Sequence, residues 1–135
     1  MAKKNIATFL GPQLGLSIVG DHAYAYCVSF AAETSSATVL SFQSPGQKYI
    51  VGKFTLNSAI QVDTSNITGT FFRIKFNGEQ VAIAFSGNGA NDSPSSAVIN
   101  MILPPNTTVV VDAWAGGTAG SSIANVQFTG RVYDA

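Results

Sequence analysis

Apolar and polar residues alternate most regularly over residues 70–85, on both sides of Asn77-Gly78. Asn and Gly tolerate the positive φ angles of a type I′ turn, so the pattern predicts a two-residue β-hairpin. The turn sets a register whose pairs are Phe76–Glu79, Ile74–Val81, Phe72–Ile83 and Thr70–Phe85. One face of the hairpin then carries Phe72, Ile74, Phe76, Val81, Ile83 and Phe85. The other face carries Phe71, Arg73, Lys75, Gln80, Ala82 and Ala84.

The same period of two predicts strands elsewhere in the chain, separated by turn-forming residues. These strands cover residues 22–30, 38–42, 48–56, 60–62, 97–103, 107–114 and 122–133. Loops are expected at 87–96 and 115–121, which are rich in Gly, Ser and Asn. Gly52, inside a predicted strand, indicates a bulge or a close approach by another backbone.

Eight or nine short strands and no helical period predict an all-β fold, an antiparallel β-sandwich. A jelly-roll-like arrangement is favoured over an immunoglobulin-like one, because the chain has no Cys…Trp…Cys frame and enough strands for two four-stranded sheets. Residues 21–135 are predicted to form this single domain. Residues 1–20 have no clear period, and Gly11-Pro12 interrupts them, so we expect an N-terminal arm or a frayed edge strand.

Charge is scarce in this chain. Asp, Glu, Lys and Arg make up 10% of the 135 residues and their charges cancel, whereas about 25% is usual for soluble domains. The surface is therefore either covered by neutral polar groups or buried against other chains, and composition alone favours neither. Without a basic patch beyond Lys3-Lys4, we expect no nucleic-acid partner.

No apolar run has the roughly 18 residues of a membrane span, so we expect no membrane partner. Residues 23–25, Ala-Tyr-Ala, resemble a signal-peptidase site, but Gly and Pro break the apolar stretch before them. We therefore expect no cleaved signal peptide.

Catalytic residue types are also scarce. The chain has one histidine, His22, and one cysteine, Cys27. No Gly-x-Ser-x-Gly elbow accompanies the histidine, and a cysteine in a strand pattern is expected to be a small buried apolar residue. Residues 63–66 and 91–93 offer oxygen ligands for calcium, but neither segment has the several carboxylates of a tight site. We expect no enzyme activity, cofactor or metal.

Two sets of residues are candidates for contacts with a partner. The weakly charged hairpin face offers an interface between copies of the chain at Phe71, Arg73, Lys75, Ala82 and Ala84. Exposed aromatic residues can stack on sugars, and the candidates for a glycan contact are Trp114, Tyr24, Tyr26 and Tyr49. A core or interface position is favoured over the glycan contact for these four.

Parts of the chain resemble the small single jelly-roll proteins of virus particles. The resemblance lies in residues 104–111 (PPNTTVVV), the Gly/Ser-rich loop that follows, and residues 126–133 (VQFTGRVY). Residues 44–51 (SPGQKYIV) share it. That group includes capsid, decoration and receptor-binding domains of bacteriophages and related viruses. The resemblance implies a non-enzymatic virion protein, made in the host cytoplasm, that acts as a homo-oligomer, most often a trimer. Capsid decoration or cementing, or a minor capsid role, is then expected, with other capsid proteins as partners. The alternative is a carbohydrate-binding module or a lectin-like receptor-binding domain.

Overall fold

A computed structural model describes residues 13–60, 69–87, 94–116 and 122–135, and these residues form eleven β-strands and no helix. The first six strands are β1 (Gln13–Leu14), β2 (Ser17–Val19), β3 (His22–Tyr26), β4 (Phe30–Ala31), β5 (Ala37–Gln43) and β6 (Lys48–Ile60). The last five are β7 (Gly69–Phe76), β8 (Glu79–Gly87), β9 (Pro94–Leu103), β10 (Thr108–Ala115) and β11 (Ser122–Asp134).

The strands form two sheets. The first sheet has the order β1-β5-β10-β7-β8, and the second has the order β2-β3-β11-β6-β9, with β4 also paired to β11. All pairs are antiparallel except β1 with β5. Eight strands have five residues or more, namely β3 and β5 to β11. If these eight are numbered 1 to 8 in chain order, the first sheet has the order 2-7-4-5 and the second has the order 1-8-3-6. This is the strand order of a jelly roll, which confirms the predicted fold class.

The core lies between the two sheets and is made by alternate residues of the strands. Phe128 is central to it, because its ring lies 4.8 Å from that of Phe54 and 5.4 Å from that of Phe42. The largest fully buried side chains are Phe54, Phe72, Phe128, Leu40, Ile50, Leu56, Ile74, Leu103, Val109, Val111 and Val126. The core is therefore entirely apolar at its centre.

The predicted hairpin is present, but its register is only partly right. Asn77 and Gly78 have φ angles of 52° and 87°, as the predicted turn requires. Phe76 pairs with Glu79 as predicted, but the register then shifts between Ile74 and Lys75. The pairs beyond the shift are Ile74–Ala82, Arg73–Ile83, Phe72–Ala84, Phe71–Phe85 and Thr70–Ser86.

The shift is a β-bulge with Val81 as the extra residue, and it inverts the predicted faces of β8. Val81 and Ile83 are exposed on the outer side, whereas Ala82 and Ala84 pack against the core. The small alanines fit opposite the large Ile74 and Phe72, which explains why the bulge is compatible with a packed interior.

Several strand boundaries also differ from the prediction. The strand predicted at 22–30 is divided into β3 and β4, and β6 continues to Ile60, so no separate strand begins there. Pro94 opens β9 inside the loop predicted at 87–96. The described residues do not include 1–12, 61–68, 88–93 and 117–121. Most of the predicted arm and both candidate calcium segments lie in these ranges. Residues 13–19 supply β1 to one sheet and β2 to the other.

Candidate functional site

The predicted interface residues are separated by the bulge. Phe71, Arg73 and Lys75 lie half-buried on the outer face of the first sheet, as expected from their alternation in β7. Ala82 and Ala84 do not join them, because both pack against the core. The prediction that Ala82 and Ala84 share the outer face with Phe71, Arg73 and Lys75 is wrong. Val81 and Ile83 lie on that face instead.

A carboxylate inside this outer face binds both cations. Asp112 on β10 is 6% exposed. Its Oδ2 lies 3.0 Å from Lys75 Nζ and 3.6 Å from Arg73 Nη2, while Thr38 Oγ1 donates a 2.9 Å hydrogen bond to Oδ1. Burial alone raises the pKa of Asp112, but the hydrogen bonds from Lys75 and Thr38 and the two positive charges lower the pKa below its ordinary value. The cluster is therefore a charged Asp with two cationic partners.

The tryptophan candidate belongs to the same face. Trp114 pairs with Phe71 across β10 and β7, and their rings stack at 5.5 Å with 16° between their planes. The guanidinium of Arg73 lies 5.0 Å from the centre of the Trp114 ring. A pocket of about 260 Å³ opens beside them, lined by Thr34, Ser36, Arg73 and Trp114. The structure thus joins residues that the sequence had placed in two different candidate sites.

The tyrosine candidates lie on the other sheet. Tyr24 and Tyr26 stack on each other along β3, with 6.4 Å between ring centres. Tyr49 on β6 stacks on Tyr133 of β11 at 5.4 Å. Since Trp114 is in the first sheet and the tyrosines are in the second, the four residues do not form one platform for a sugar.

An apolar patch at the edge of the second sheet was not predicted. We call Val51, Val98 and Ile102 the β9 patch; these side chains are 43%, 53% and 60% exposed. Ile102 lies opposite Val51, and Val98 is four residues earlier on β9, on the same face. β9 ends the sheet, and its ten residues (PSSAVINMIL) carry no charge. The absence of charge in 94–103 was the available signal, because edge strands usually carry charged residues.

The histidine and the cysteine lie in different environments. His22 is exposed, with its Nε2 3.5 Å from Asp21 Oδ1, and Arg131 Nε lies 3.5 Å from the other oxygen of Asp21. Cys27 is buried, as predicted, and its Sγ accepts a hydrogen bond from the Val126 N–H at 3.2 Å. Burial raises the pKa of the Cys27 thiol, which opposes formation of a thiolate.

Within the described ranges, no three side chains of His, Cys, Asp and Glu are grouped as a metal site requires. Nor does any described segment form a helix with the length and hydrophobicity of a membrane span.

No model of a protein family and no curated protein sequence matches the chain. Solved structures with a similar fold include a chain of a subviral particle of infectious bursal disease virus, with 12% identity and a TM-score of 0.47. That match covers 82% of this chain and 33% of the viral chain, so this chain spans about a third of its viral neighbour.

Two further neighbours are of similar size to this chain. The CBM36-1 domain of a multidomain xylanase from the hindgut metagenome of Trinervitermes trinervoides has 16% identity and a TM-score of 0.44, with 79% of this chain and 77% of that one covered. The sugar-binding C-terminal domain of EclA has 12% identity and a TM-score of 0.43, with 83% and 82% covered. At these identities the likeness concerns the fold alone.

Proposed function

We propose that this chain is a non-enzymatic structural subunit of a virus particle, a capsid decoration or cement protein or a minor capsid subunit, that works by binding copies of itself and other capsid proteins. The observation that carries the proposal is the uncharged edge strand β9 with the exposed β9 patch beside it. The resemblance of residues 104–111 and 126–133 to single jelly-roll virion proteins supports the viral setting, and it implies a trimer.

The physical basis is the cost of leaving β9 in water. An edge strand presents unpaired backbone N–H and C=O groups, and a long uncharged edge readily accepts another chain. Val51, Val98 and Ile102 add exposed apolar area beside that edge. Contact with another copy buries both the edge of β9 and this apolar area. The only charged residue opposite β9 near the patch is Lys53, which pairs with Asn100.

We assign the contact between copies to the β9 patch rather than to the predicted Phe71, Arg73 and Lys75 face. On that face, both cations already pair with Asp112. Covering them would remove solvated charges from water, which costs free energy. The three members of the β9 patch are apolar, and Lys53 is the one exposed cation between them, so covering the patch removes fewer charges from water.

Light scattering at low micromolar concentration tests self-association. We expect the mass of a trimer or a larger ring, and Ile102→Asp should lower the mass to that of the monomer. Ile83→Asp is the matched control, because Ile83 is also exposed (54%) but lies on the other sheet. A monomeric parent chain would contradict the proposal, and loss of assembly in Ile83→Asp alone would move the contact to the first sheet.

The viral setting has a separate test in the genes beside the one that encodes this chain. Terminase, portal or other capsid genes next to it support a virion protein. A neighbourhood of glycan-degrading enzymes contradicts it and favours the second candidate.

That second candidate is a glycan-binding role, and the pocket beside Trp114 favours it. The pocket combines an indole, a guanidinium and two hydroxyls, which are groups that bind sugars by stacking and hydrogen bonding. A glycan array with the parent chain and Trp114→Ala tests this role. Binding that disappears in Trp114→Ala supports it, and a silent array with the parent chain overturns it.

A further inference from the structure

The pocket beside Trp114 has an aromatic wall that is packed in place. The Trp114 ring stacks on Phe71, and Phe71 packs in turn against Phe85, with 4.7 Å between their ring centres. Gly116 lies against this stack, because a Cβ there would lie 2.7 Å from Cε1 of Phe85 and 3.0 Å from Cε2 of Phe71. The indole is therefore positioned before a ligand arrives, and a preorganised surface binds at a lower entropic cost.

The hydroxyl wall of the pocket is also anchored to the sheet. The Ala115 N–H donates a 2.6 Å hydrogen bond to the Glu33 carbonyl, which joins the segment before β5 to the end of β10. Thr34 and Ser36, in that segment, line the pocket and are exposed. The pocket has a volume of about 260 Å³, whereas sites for drug-sized molecules have roughly 300–1,000 Å³. It therefore suits one sugar ring rather than a longer chain.

Arg73 is the charged residue among the four that line the pocket, and the protein uses its guanidinium only in part. The single carboxylate of Asp112 has two cationic neighbours, and Lys75 is nearer to it than Arg73, at 3.0 Å against 3.6 Å. Thr38 donates a further hydrogen bond to that carboxylate. Within the described part of the chain, Arg73 Nε is buried without a hydrogen-bond partner and Glu33 forms no ion pair with Arg73. The cluster therefore has a surplus positive charge beside the pocket.

This surplus charge decides which class of sugar the pocket favours. A guanidinium binds a carboxylate through two parallel N–H···O bonds, which are stronger than bonds between neutral groups. The indole adds a stacking surface, and Thr34 and Ser36 add hydroxyls for the ring substituents. A neutral sugar would leave the charge of Arg73 unmatched. We propose that the pocket binds a sugar that carries a carboxylate, a uronic or sialic acid, with the acid on Arg73 and the ring beside Trp114.

The proposal rests on the second candidate function, glycan binding, and refines it by naming the class of glycan. It does not depend on assembly through the β9 patch, because that patch lies on the other sheet.

A glycan array printed in matched pairs tests the class of ligand. Each uronic or sialic acid glycan is printed once as the free acid and once as its methyl ester, which keeps the ring and removes the charge. The parent chain should bind at least one acid about tenfold or more tightly than its ester, the factor that about 1.4 kcal/mol supplies. This comparison uses the parent chain alone, so it does not depend on how a variant folds.

Substitutions then locate the charge that matters. Arg73→Gln should reduce binding of the acid to the level of its ester, whereas Trp114→Ala should reduce binding of both. Arg131→Gln is the matched control, because Arg131 is an exposed arginine on the other sheet, and it should keep the preference for the acid. Circular dichroism of each variant shows whether its fold is that of the parent chain.

The outcomes separate this proposal from glycan binding itself. Equal binding of acids and esters by the parent chain, or an unchanged preference in a folded Arg73→Gln, would overturn the acidic class and leave glycan binding standing. A silent array would overturn both. Free acetate that binds as tightly as the acidic glycan would also overturn the proposal, because the site would then recognise an anion and not a sugar.

Discussion

Gly52 and Gly130 lie directly opposite each other on β6 and β11, and neither position has room for a side chain. A Cβ on Gly52 would lie 2.3 Å from the Thr129 carbonyl oxygen and 2.9 Å from Cζ of Phe128. The close approach suggested for Gly52 is therefore confirmed, and no register shift accompanies it. Gly52 leaves space for the fully buried ring of Phe128, and Gly130 leaves space for the fully buried Ile50.

We expect Gly52→Ala to lower the free energy of unfolding by about 2–3 kcal/mol, because backbone atoms and a buried ring must move to admit one methyl group. Urea denaturation followed by circular dichroism measures this. Gly46→Ala is the matched control, since nothing lies within 4 Å of a Cβ there, and it should change stability by less than about 0.5 kcal/mol. Equal effects of the two changes would contradict the close packing.

The ionised state of Asp112 should contribute to stability above about pH 4. Its pKa is lower in the folded chain than its ordinary value, which is about 3.9. The contribution is therefore fully present above that value and is lost as the pH falls through the lower folded pKa. We expect Asp112→Asn to cost about 1–3 kcal/mol at pH 7 and to have a flatter stability profile below pH 4.

Asp134 is the control for this profile. It pairs with Lys48, which also lowers its pKa, but its side chain is 87% exposed. Solvent screens such a pair, so Asp134→Asn should retain the acid-dependent loss of the parent chain. Parallel profiles for the parent chain and Asp112→Asn would show that Asp112 is not the group responsible.

The hairpin illustrates which features of the fold could be predicted. The Asn77-Gly78 turn was predictable because few residue pairs accept two positive φ angles. The faces of β7 were predictable because Arg73 and Lys75 alternate with Phe72 and Ile74. In β8, by contrast, residues 81–84 (VAIA) are all uncharged, so polarity does not show which side faces the core. The bulge at Val81 has no signal in that pattern.

The candidate site depended on strand order, which local periodicity does not contain. Phe71 and Trp114 are far apart in sequence and meet because β10 pairs with β7. The tyrosines and Trp114 were grouped by residue type, but the same pairing scheme places them on different sheets. Cys27 was predicted correctly because burial of a small residue in an alternating strand is a local property.

Asn77 should stabilise the hairpin through its side chain as well as its backbone. Its Oδ1 accepts a 2.9 Å hydrogen bond from the Thr108 N–H, and its own N–H donates to the Thr108 carbonyl at 2.8 Å. Asn77→Ala loses the first bond and places Ala at φ 52°, so we expect a loss of about 1–2 kcal/mol in urea denaturation. Asn100→Ala, an exposed Asn in β9, should be near neutral, and a neutral Asn77→Ala would contradict this role.

A pair of adjacent substitutions in β8 tests the bulge directly. Ala84 faces Phe72 and packs against the core, whereas Ile83 is exposed beside Arg73. A buried carboxylate without a partner is strongly destabilising, so Ala84→Asp should cost about 3 kcal/mol or more in urea denaturation. Ile83→Asp should cost less than about 1 kcal/mol, because its carboxylate stays in water next to a cation. In an unbulged hairpin Ile83 would face the core and Ala84 the solvent, so the two results would be exchanged.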